Sequence, residues 1–202
     1  MEKYLKTMNS FVINEEQRKR LEDYVKLLLE WNNKINLIGK STIDDLWNRH
    51  IVDSAQLMKF LSEEELKSCK CADFGTGAGF PGVVLSILGV KNITLIEKSI
   101  QKCNFLKEAV KFSGNKIDIL NKNINDIKTK KFDIIFSRAL ASLDELLFMV
   151  KPFVKSNTRC IFLKGRKVEE ELVEAKKNHN FEYELFDSET SEEGRVVIVK
   201  LL

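Results

Sequence analysis

The feature that most constrains the fold is the stretch "CADFGTGAGFPGVVLSIL", which runs from Cys71 to Leu88. It places four glycines within eight residues, and the last three, Gly77, Gly79 and Gly82, fit the pattern G-x-G-x-x-G. A β-rich run precedes these glycines and an apolar helical run comes after them. Glycines here permit a tight turn and close approach of the backbone to a ligand. In open parallel sheets, nucleotides bind beyond the carboxyl ends of the strands, so the stretch predicts a nucleotide-type site.

The chain after Cys69 alternates between short β-rich runs and helical segments. The candidate strands are "KCADFG", "NITLIE", "KIDILN", "FDIIFSRA" and "RCIFLKG", with helices near 81–88, 99–112, 142–150 and 167–178. This alternation predicts an α/β fold with a doubly wound, Rossmann-like, mostly parallel sheet. The tail, "FEYELFDSETSEEGRVVIVKLL", offers two strands joined by a polar turn, which indicates an antiparallel C-terminal hairpin.

An N-terminal helical extension precedes the sheet. Residues 14–31 are predicted to form a helix, with Asn14 as its cap and Gln17 three residues later. A second helix is expected to begin near Ser41 or Thr42. Its apolar stripe comprises Ile43, Leu46, Trp47, Ile51, Ser54, Leu57 and Leu61. We therefore divide the chain into an extension over 1–62, packing over the nucleotide-type site, and a sheet domain over 63–202 that contains this site.

The charges of the chain are unevenly spread, although the net charge is only +3. Residues 98–131 hold nine lysines and three acidic residues, whereas residues 169–202 hold ten acidic and four basic residues. This asymmetry is compatible with a polyanionic partner on one side. No apolar stretch approaches the length of a membrane span, and the N-terminus lacks the apolar core of a signal peptide, so we expect a cytoplasmic protein.

Metal and thiol chemistry are both disfavoured by composition. The chain has two histidines, which excludes a histidine-rich metal site, and its four cysteines lack zinc-site spacing. We expect reduced, mostly buried thiols, and neither a metal nor a membrane as a partner.

Two residues of the glycine loop favour one cofactor over another. Pro81 lies near the first helical turn and lacks the N–H group that a pyrophosphate would use. Asp73 is expected to add a negative charge at the mouth of the loop. Glu97 ends the second predicted strand, 20 residues after Gly77, where a carboxylate can bind ribose hydroxyls. The pattern favours S-adenosylmethionine, a cationic adenosine derivative, over a nicotinamide dinucleotide.

The residues leave several acceptor chemistries open but weaken two. The fourth strand ends in "FSRALAS", without the Pro-Pro-aromatic tetrad that is usual for exocyclic amine transfer. Cys103 and Cys160 lie in a predicted helix and strand, where a pyrimidine-attacking nucleophile is not expected. A guanine N7 presents a free lone pair and needs alignment rather than a general base.

Four segments together resemble the RsmG (GidB) family of small-subunit ribosomal RNA methyltransferases. They are "NKINLIGKSTIDDLWNRHIVDSAQL", "DFGTGAGFPGVVLSI", "FSRALASLDELL" and "FLKGRK", in the expected order over about residues 30–200. The resemblance implies S-adenosylmethionine-dependent methylation at N7 of a guanosine in 16S ribosomal RNA. The implied partner is this RNA or the small ribosomal subunit.

The resemblance also implies particular cofactor contacts. It assigns Gly75 and Phe80 in the glycine loop, Ile124 and Asn125 after the third strand, and Arg138 in "SRA". With the residues argued above, the full candidate set is Asp73, Gly75, Gly77, Gly79, Phe80, Glu97, Ile124, Asn125 and Arg138. Glu97 stands where many members of the family have Asp.

Catalytic and RNA-binding candidates come from the basic and polar residues around this loop. We predict Arg138, His50 and Arg49 as catalytic, and the family resemblance implies that the second helix acts as a lid over the cofactor. The candidate RNA-binding residues are Asn36, Arg49, Asp53, Lys164, Arg166 and Arg195. Phosphate contacts of this kind give affinity without sequence information.

Three other functions remain open at this stage. One is methylation of a small molecule or a protein. Another is a nicotinamide-dependent reductase, and the last is a non-catalytic RNA-binding module with a vestigial pocket. We expect the protein to be a monomer.

Overall fold

The computed structural model describes residues 13–128 and 130–202, and a single mixed sheet organises them. Its strands are β1 (Cys71–Phe74), β2 (Ile93–Glu97), β3 (Ile117–Asn121), β4 (Ile134–Arg138), β5 (Arg159–Lys164), β6 (Phe181–Asp187) and β7 (Arg195–Leu201). Their order across the sheet is β3-β2-β1-β4-β5-β7-β6. Strands β1 to β5 are parallel, and β7 runs antiparallel between β5 and β6. The predicted α/β fold, with its C-terminal hairpin, is confirmed.

The α-helices precede the first strand or lie between later strands. They are α1 (Glu15–Asn32), α2 (Asp53–Ala55), α3 (Glu63–Ser68), α4 (Gly82–Leu88), α5 (Ile100–Ala109), α6 (Leu143–Val150) and α7 (Val168–Asn178). Asn14 caps α1 as predicted, because its side chain accepts from the Gln17 N–H at 2.8 Å while the Gln17 side chain bonds back to Asn14. Helix α3 was not among the predicted elements.

Alternate residues of each strand feed two separate cores, one on either face of the sheet. On the first face, Cys71 and Leu95 pack with helices α1, α4 and α5. On the second face, Phe74 and Ile96 pack with α6 and α7. Burial on both faces explains why the parallel strands read as near-continuous apolar runs. The carboxyl ends of β1, β2, β4 and β5 therefore meet at one edge between the two helical layers.

The prediction that the second helix forms one continuous element is wrong. A 3₁₀ turn (Lys40–Thr42), a π-helical turn (Trp47–Val52), the short α2 and a further 3₁₀ stretch (Gln56–Phe60) replace it. The apolar stripe is largely buried, with Leu46, Ile51 and Leu57 in the first core. The apolar stripe thus predicted which residues are buried but not the type of helical turn that they form. Turns of the π-helical type are frequent at functional sites.

The division at residue 62 stays a prediction, and residues 1–12 of the extension lie outside the described residues. Helix α1 shares the first core with α4, and the Tyr24 hydroxyl donates to the Ala78 carbonyl in the glycine loop. Within the described chain, no helix combines the length and apolar character needed to cross a membrane. No cluster of three metal-ligating side chains occurs there either.

Candidate active site

The glycine loop between β1 and α4 is held by backbone conformations that glycine adopts readily. Gly75, Gly77 and Gly79 have φ angles of 68°, 58° and 94°. A Cβ on Gly75 would lie 2.6 Å from Leu140 Cδ1, whereas one on Gly77 would meet no atom closer than 3.9 Å. Gly77 thus leaves an open cradle beside the loop, and Leu140 covers the loop at Gly75.

Asp73 does not face the mouth of the loop, which corrects the electrostatic role predicted for it. Its side chain is fully buried, and Oδ2 accepts from Thr76 Oγ1 and from the Gly82 N–H at 2.8 Å. Oδ1 has no hydrogen-bond partner in the described structure. Burial raises the pKa of this carboxyl to about 6. Asp73 therefore braces the loop from inside rather than attracting a cationic ligand at its opening.

Glu97 lies at the carboxyl end of β2, where the sequence predicted a ribose-binding acid. Its Oε2 accepts from the Gly77 N–H at 3.1 Å, and its Oε1 accepts from the Ser99 N–H at 2.7 Å. An ionised carboxylate has about four acceptor positions, so capacity remains for hydroxyl donors. Ile124 is buried in the second core near the end of β3, and Asn125 beside it is exposed.

Arg138 closes the carboxyl end of β4 and connects three segments of the chain. Its Nη1 donates to the Arg49 carbonyl at 3.0 Å and to Asp53 Oδ2 at 3.2 Å. Its Nη2 donates to His50 Nδ1 at 2.9 Å. The guanidinium carbon also lies 4.9 Å from the centre of the Phe80 ring. These contacts use three of its five N–H donors and leave two for a ligand.

His50 is a neutral acceptor for Arg138. Arginine can only donate, so Nδ1 must carry the lone pair and Nε2 the proton, which points to Thr42 Oγ1 at 2.8 Å. The imidazole stacks on Phe80 with 5.0 Å between centroids and 16° between planes. Burial, followed by the charges of Arg138 and Arg49, lowers the pKa of His50 to about 3. Both ring nitrogens are thus engaged, and His50 holds the Arg138 guanidinium in place, while its predicted catalytic role stays a prediction.

Phe80 is itself buried between His50 and Arg138, with Tyr24 at its edge. Its ring is therefore not free to stack on an RNA base, and a contact with the cofactor stays a prediction.

Asp53 couples Arg138 to the hairpin turn between β6 and β7, residues 188–194. While Oδ2 accepts from Arg138, Oδ1 accepts from Gln56 Nε2 and Thr190 Oγ1, each at 2.9 Å. The Glu189 N–H in turn donates to Gln56 Oε1. These internal donors occupy the carboxylate that the sequence assigned to RNA. Asp53 thus orients Arg138 and fixes the turn, and its predicted RNA contact stays a prediction.

A cavity of about 760 Å³ opens beside Arg138 at the ends of β4 and β5. Leu140 forms part of its wall and also lies over Gly75, so the cavity adjoins the glycine loop. The hairpin turn forms another part of the wall. Its basic lining residues are Arg49, Arg138, Lys164, Arg166 and Arg195, and its acidic ones are Asp53, Glu171 and Glu193.

Lys164 lines this cavity, but its charge is paired within the protein, and its predicted RNA contact stays a prediction. Only 8% of its side chain is exposed, because its ammonium donates to the Ala141 carbonyl and pairs with Glu171 at 2.6 Å. Glu171 also accepts from the Leu143 N–H. Lys164 therefore ties the loop after β4 to α7.

The two predicted RNA-binding arginines at the rim differ in freedom. Arg195 donates to the Glu192 and Gly194 carbonyls and lies 3.3 Å from Asp187, so it holds the hairpin turn. Arg166 is largely exposed, with Glu193 at 3.9 Å, and such a loose surface pair adds little energy.

Arg49 and Asn36 line two different cavities. The Arg49 side chain is exposed at the cavity and has no partner among the described residues. Asn36 instead lines a second cavity of about 420 Å³ with Asn33, Ser99 and Lys102, so it does not share a wall with Arg49.

The cysteines do not line the cavity beside Arg138, although the Cys103 thiol donates to the backbone carbonyl of Glu97. Cys71, Cys103 and Cys160 are buried and free, and Cys69 is half-buried. Burial raises the pKa of Cys160 to about 12, so its thiol is not poised as a nucleophile.

Sequence reasoning missed Thr42, Gln56, Thr190 and Leu140. Each acts through a partner that the fold supplies, such as Thr190 on Asp53, 137 residues away. No local signal in the sequence marks such contacts.

The sequence matches the GidB family, described as rRNA small subunit methyltransferase G, over residues 17–195. The chain belongs to this family. The Ribosomal RNA small subunit methyltransferase G of Orientia tsutsugamushi (strain Ikeda) is 36% identical over 192 residues, covering 95% of this chain and 94% of that protein. Its counterpart in Rickettsia felis is 39% identical over 183 residues, covering 91% and 93%.

Solved structures support the fold of this family member. A TehB-like SAM-dependent methyltransferase from Corynebacterium glutamicum has a TM-score of 0.59 at 15% identity, covering 90% of this chain and 97% of that one. A mutant of MtNAS in complex with S-adenosylmethionine has a TM-score of 0.60 at 16% identity, covering 92% and 76%. At this identity the likeness concerns the fold alone.

The GidB family member is thus an S-adenosylmethionine-dependent methyltransferase of small-subunit ribosomal RNA. The residues of the glycine loop fit this cofactor. A Cβ-free cradle lies at Gly77, and the Glu97 carboxylate beside it keeps free acceptor positions for ribose hydroxyls. The predicted family and cofactor are confirmed, while the individual contact residues stay predictions.

Proposed function

We propose that this enzyme methylates N7 of a guanosine in 16S ribosomal RNA and needs no general base to do so. The single observation that carries the proposal is the state of His50. Its Nδ1 accepts from Arg138, its Nε2 faces Thr42, and its pKa is lowered to about 3. A neutral histidine with both nitrogens engaged suits an acceptor atom that already offers a lone pair.

S-adenosylmethionine supplies an electrophilic methyl group when it is bound. Glu97, Gly75, Gly77, Ile124 and Asn125 are the residues we propose to hold it. The two unused N–H donors of Arg138 would position the cofactor or the guanine, and the 760 Å³ cavity would receive the base. Catalysis then consists of alignment and exclusion of water.

We further propose that Arg49 and Arg166 contact the RNA, because their charges face the cavity and are free or only loosely paired. Arg49 would act beside the reacting base. The substrate is ribosomal RNA, so we propose that the enzyme acts in the cytoplasm, and as a monomer.

The test is a map of 7-methylguanosine in ribosomal RNA from cells with and without the gene. Loss of one 7-methylguanosine in 16S RNA, restored by the wild-type gene but not by an Arg138→Ala version, is the expected result. A methyl group that appears on another base atom, or on protein, contradicts the proposal.

A further inference from the structure

The lysines around β2, α5 and β3 form a second charged surface, away from the cavity beside Arg138. We call it the basic edge, because β3 is an outer strand of the sheet. It comprises Lys91, Lys98, Lys102, Lys107, Lys111, Lys116 and Lys122. Six of these side chains are exposed, and Lys102 is half-buried.

These seven ammonium groups are not neutralised by the residues that the structure describes. None lies within 4.0 Å of a carboxylate in the described chain, and the only hydrogen bonds of their ammonium groups go to neutral amides. Lys91 donates to Asn115, and Lys107 donates to Asn104. Basic side chains elsewhere are commonly paired, such as Lys19 with Asp23 and Lys155 with Asp133. The same elements also expose two acidic residues, Glu108 on α5 and Asp118 on β3, so the edge keeps an excess of positive charge that a polyanion would neutralise.

The opposite edge of the sheet has the reverse charge. Strand β6 exposes Glu182 and Glu184, and helix α7 exposes Glu169, Glu170 and Glu174. Lys177 there is paired with Glu174, and Lys176 lies over the Tyr183 ring. A polyanion is therefore attracted to one edge and repelled from the other, which fixes the direction of approach.

The basic edge is continuous with the cofactor site. Lys102 lines the second cavity together with Ser99, whose N–H donates to the Glu97 carboxylate. Four strand spacings separate β3 from β5, or roughly 19 Å across the sheet. Lys98 and Lys122 follow β2 and β3 at the carboxyl end of the sheet, the end at which the cavity lies, so one extended RNA can reach both. Lys91 and Lys116 precede these strands and carry the positive charge on to the other end of the sheet.

We propose that the basic edge docks the phosphate backbone of the folded ribosomal RNA while the target base enters the cavity beside Arg138. This inference rests on the proposed function, because it takes RNA as the substrate. Docking at phosphates supplies affinity and orientation, and the cavity supplies the choice of base.

The experiment measures binding of small-subunit ribosomal RNA to the full-length protein at several salt concentrations. The test variant is Lys107→Gln, Lys111→Gln and Lys116→Gln combined. The control is Lys151→Gln, Lys176→Gln and Lys200→Gln combined, which removes the same charge elsewhere on the exposed surface. Calorimetry with S-adenosylhomocysteine verifies that both variants keep the cofactor site.

We expect the slope of log affinity against log salt to become shallower by about two to three in the test variant, because each lost phosphate contact accounts for about 0.7–0.9. The control should keep the wild-type slope. Equal slopes in all three proteins, or a larger change in the control, overturn the inference. Binding is measured without turnover, so RNA that binds as expected but gains no 7-methylguanosine contradicts the proposed function and leaves the basic edge standing.

Discussion

The cavity beside Arg138 and the basic edge differ in how far their charged side chains are paired. In the cavity, most charges are matched by the protein itself, as Asp53 is by Arg138 and Glu171 is by Lys164. At the basic edge, seven lysines remain without a carboxylate partner in the described chain. A matched and partly buried charge holds one geometry, whereas free surface charges attract phosphate with little geometric demand. The difference teaches that alignment and affinity are assigned to separate parts of this enzyme.

The strongest way to break this comparison is Arg138→Ala. It removes three hydrogen bonds and leaves the Asp53 carboxylate without its cation. We expect kcat/KM for RNA methylation to fall at least about 100-fold, the usual scale for a lost oriented donor. Circular dichroism should show an intact fold.

Arg138→Lys is the matched variant for this position. It keeps the charge, but one ammonium cannot reproduce the planar fork that reaches Arg49, His50 and Asp53 together. We expect it to recover little activity. Full recovery would mean that charge alone matters here, as at the basic edge.

The next largest effect is expected for Lys164→Met, and it concerns stability. The substitution leaves Glu171 without its ammonium partner in a mostly buried position. Because Glu171 keeps some exposure, we expect a loss of about 2–3 kcal/mol, below the range for fully buried pairs. Denaturant unfolding measures it.

The slope of log RNA affinity against log salt tests whether Lys164 also contacts phosphate. It should remain at the wild-type value in Lys164→Met, since this ammonium is not free for phosphate. A shallower slope together with unchanged stability would return Lys164 to the RNA-binding residues.

A smaller effect is expected from His50→Phe. The ring still stacks on Phe80 but no longer accepts from Arg138, so we expect about a tenfold lower kcat with little change in KM. His50→Gln retains an acceptor and should lose less.

Nitrogen NMR should find His50 neutral, with its proton on Nε2, from pH 8 to pH 5, because its pKa is lowered to about 3. Titration near pH 6.5 would refute the assigned tautomer and its role.

The smallest effect is the pH dependence contributed by Asp73. Burial raises its pKa from 3.8 to about 6, so folding favours the protonated form. Its stabilising contribution is complete below pH 3.8 and is lost as the pH rises through about 6. Asp73→Asn cannot titrate, so its free energy of unfolding should rise relative to that of the wild type as the pH goes from 4 to 7.

Asp133→Asn is the control of opposite sign. Burial raises the pKa of Asp133, but the bonds from Lys155 and the Lys70 N–H outweigh it, so the net pKa is lowered. The stability from Asp133 is thus present above pH 3.8 and lost as the pH falls through its folded pKa. Identical pH trends in the two variants would mean that neither shift arises from the contacts described here.

The fold was largely predictable because its strands are buried on both faces and its breaks fall at glycines and caps. The capping box at Asn14 and the run before Gly75 carry their signals within a few residues. The stretch from Lys40 to Phe60 was not predictable in detail. Its residues contact Arg138 and Thr190, which lie far away in the sequence, and hydrophobic periodicity carries no information about such contacts.

The residues of the site likewise include some that the sequence could locate and others whose roles it could not show. Arg138 and Glu97 could be located because each ends a strand at the edge where ligands bind. The roles of Asp53 and Lys164 could not, since a charged residue in a sequence does not show whether the fold will pair it. Their partners lie on other elements, on Arg138, on the hairpin turn and on Glu171 of α7.

The π-helical turn at Trp47–Val52 makes the chain unusually sensitive to length at one point. A π-helical turn accommodates an extra residue compared with ordinary α-helix. Deleting one residue there would let the segment rewind as ordinary α-helix while the flanking residues kept their faces. The residues that remain in the turn would move by up to about 100° around the helix axis. Arg49 and His50 would then leave the positions from which they contact the Arg138 guanidinium. The length of this segment, and not only its residue types, therefore sets the geometry of the site.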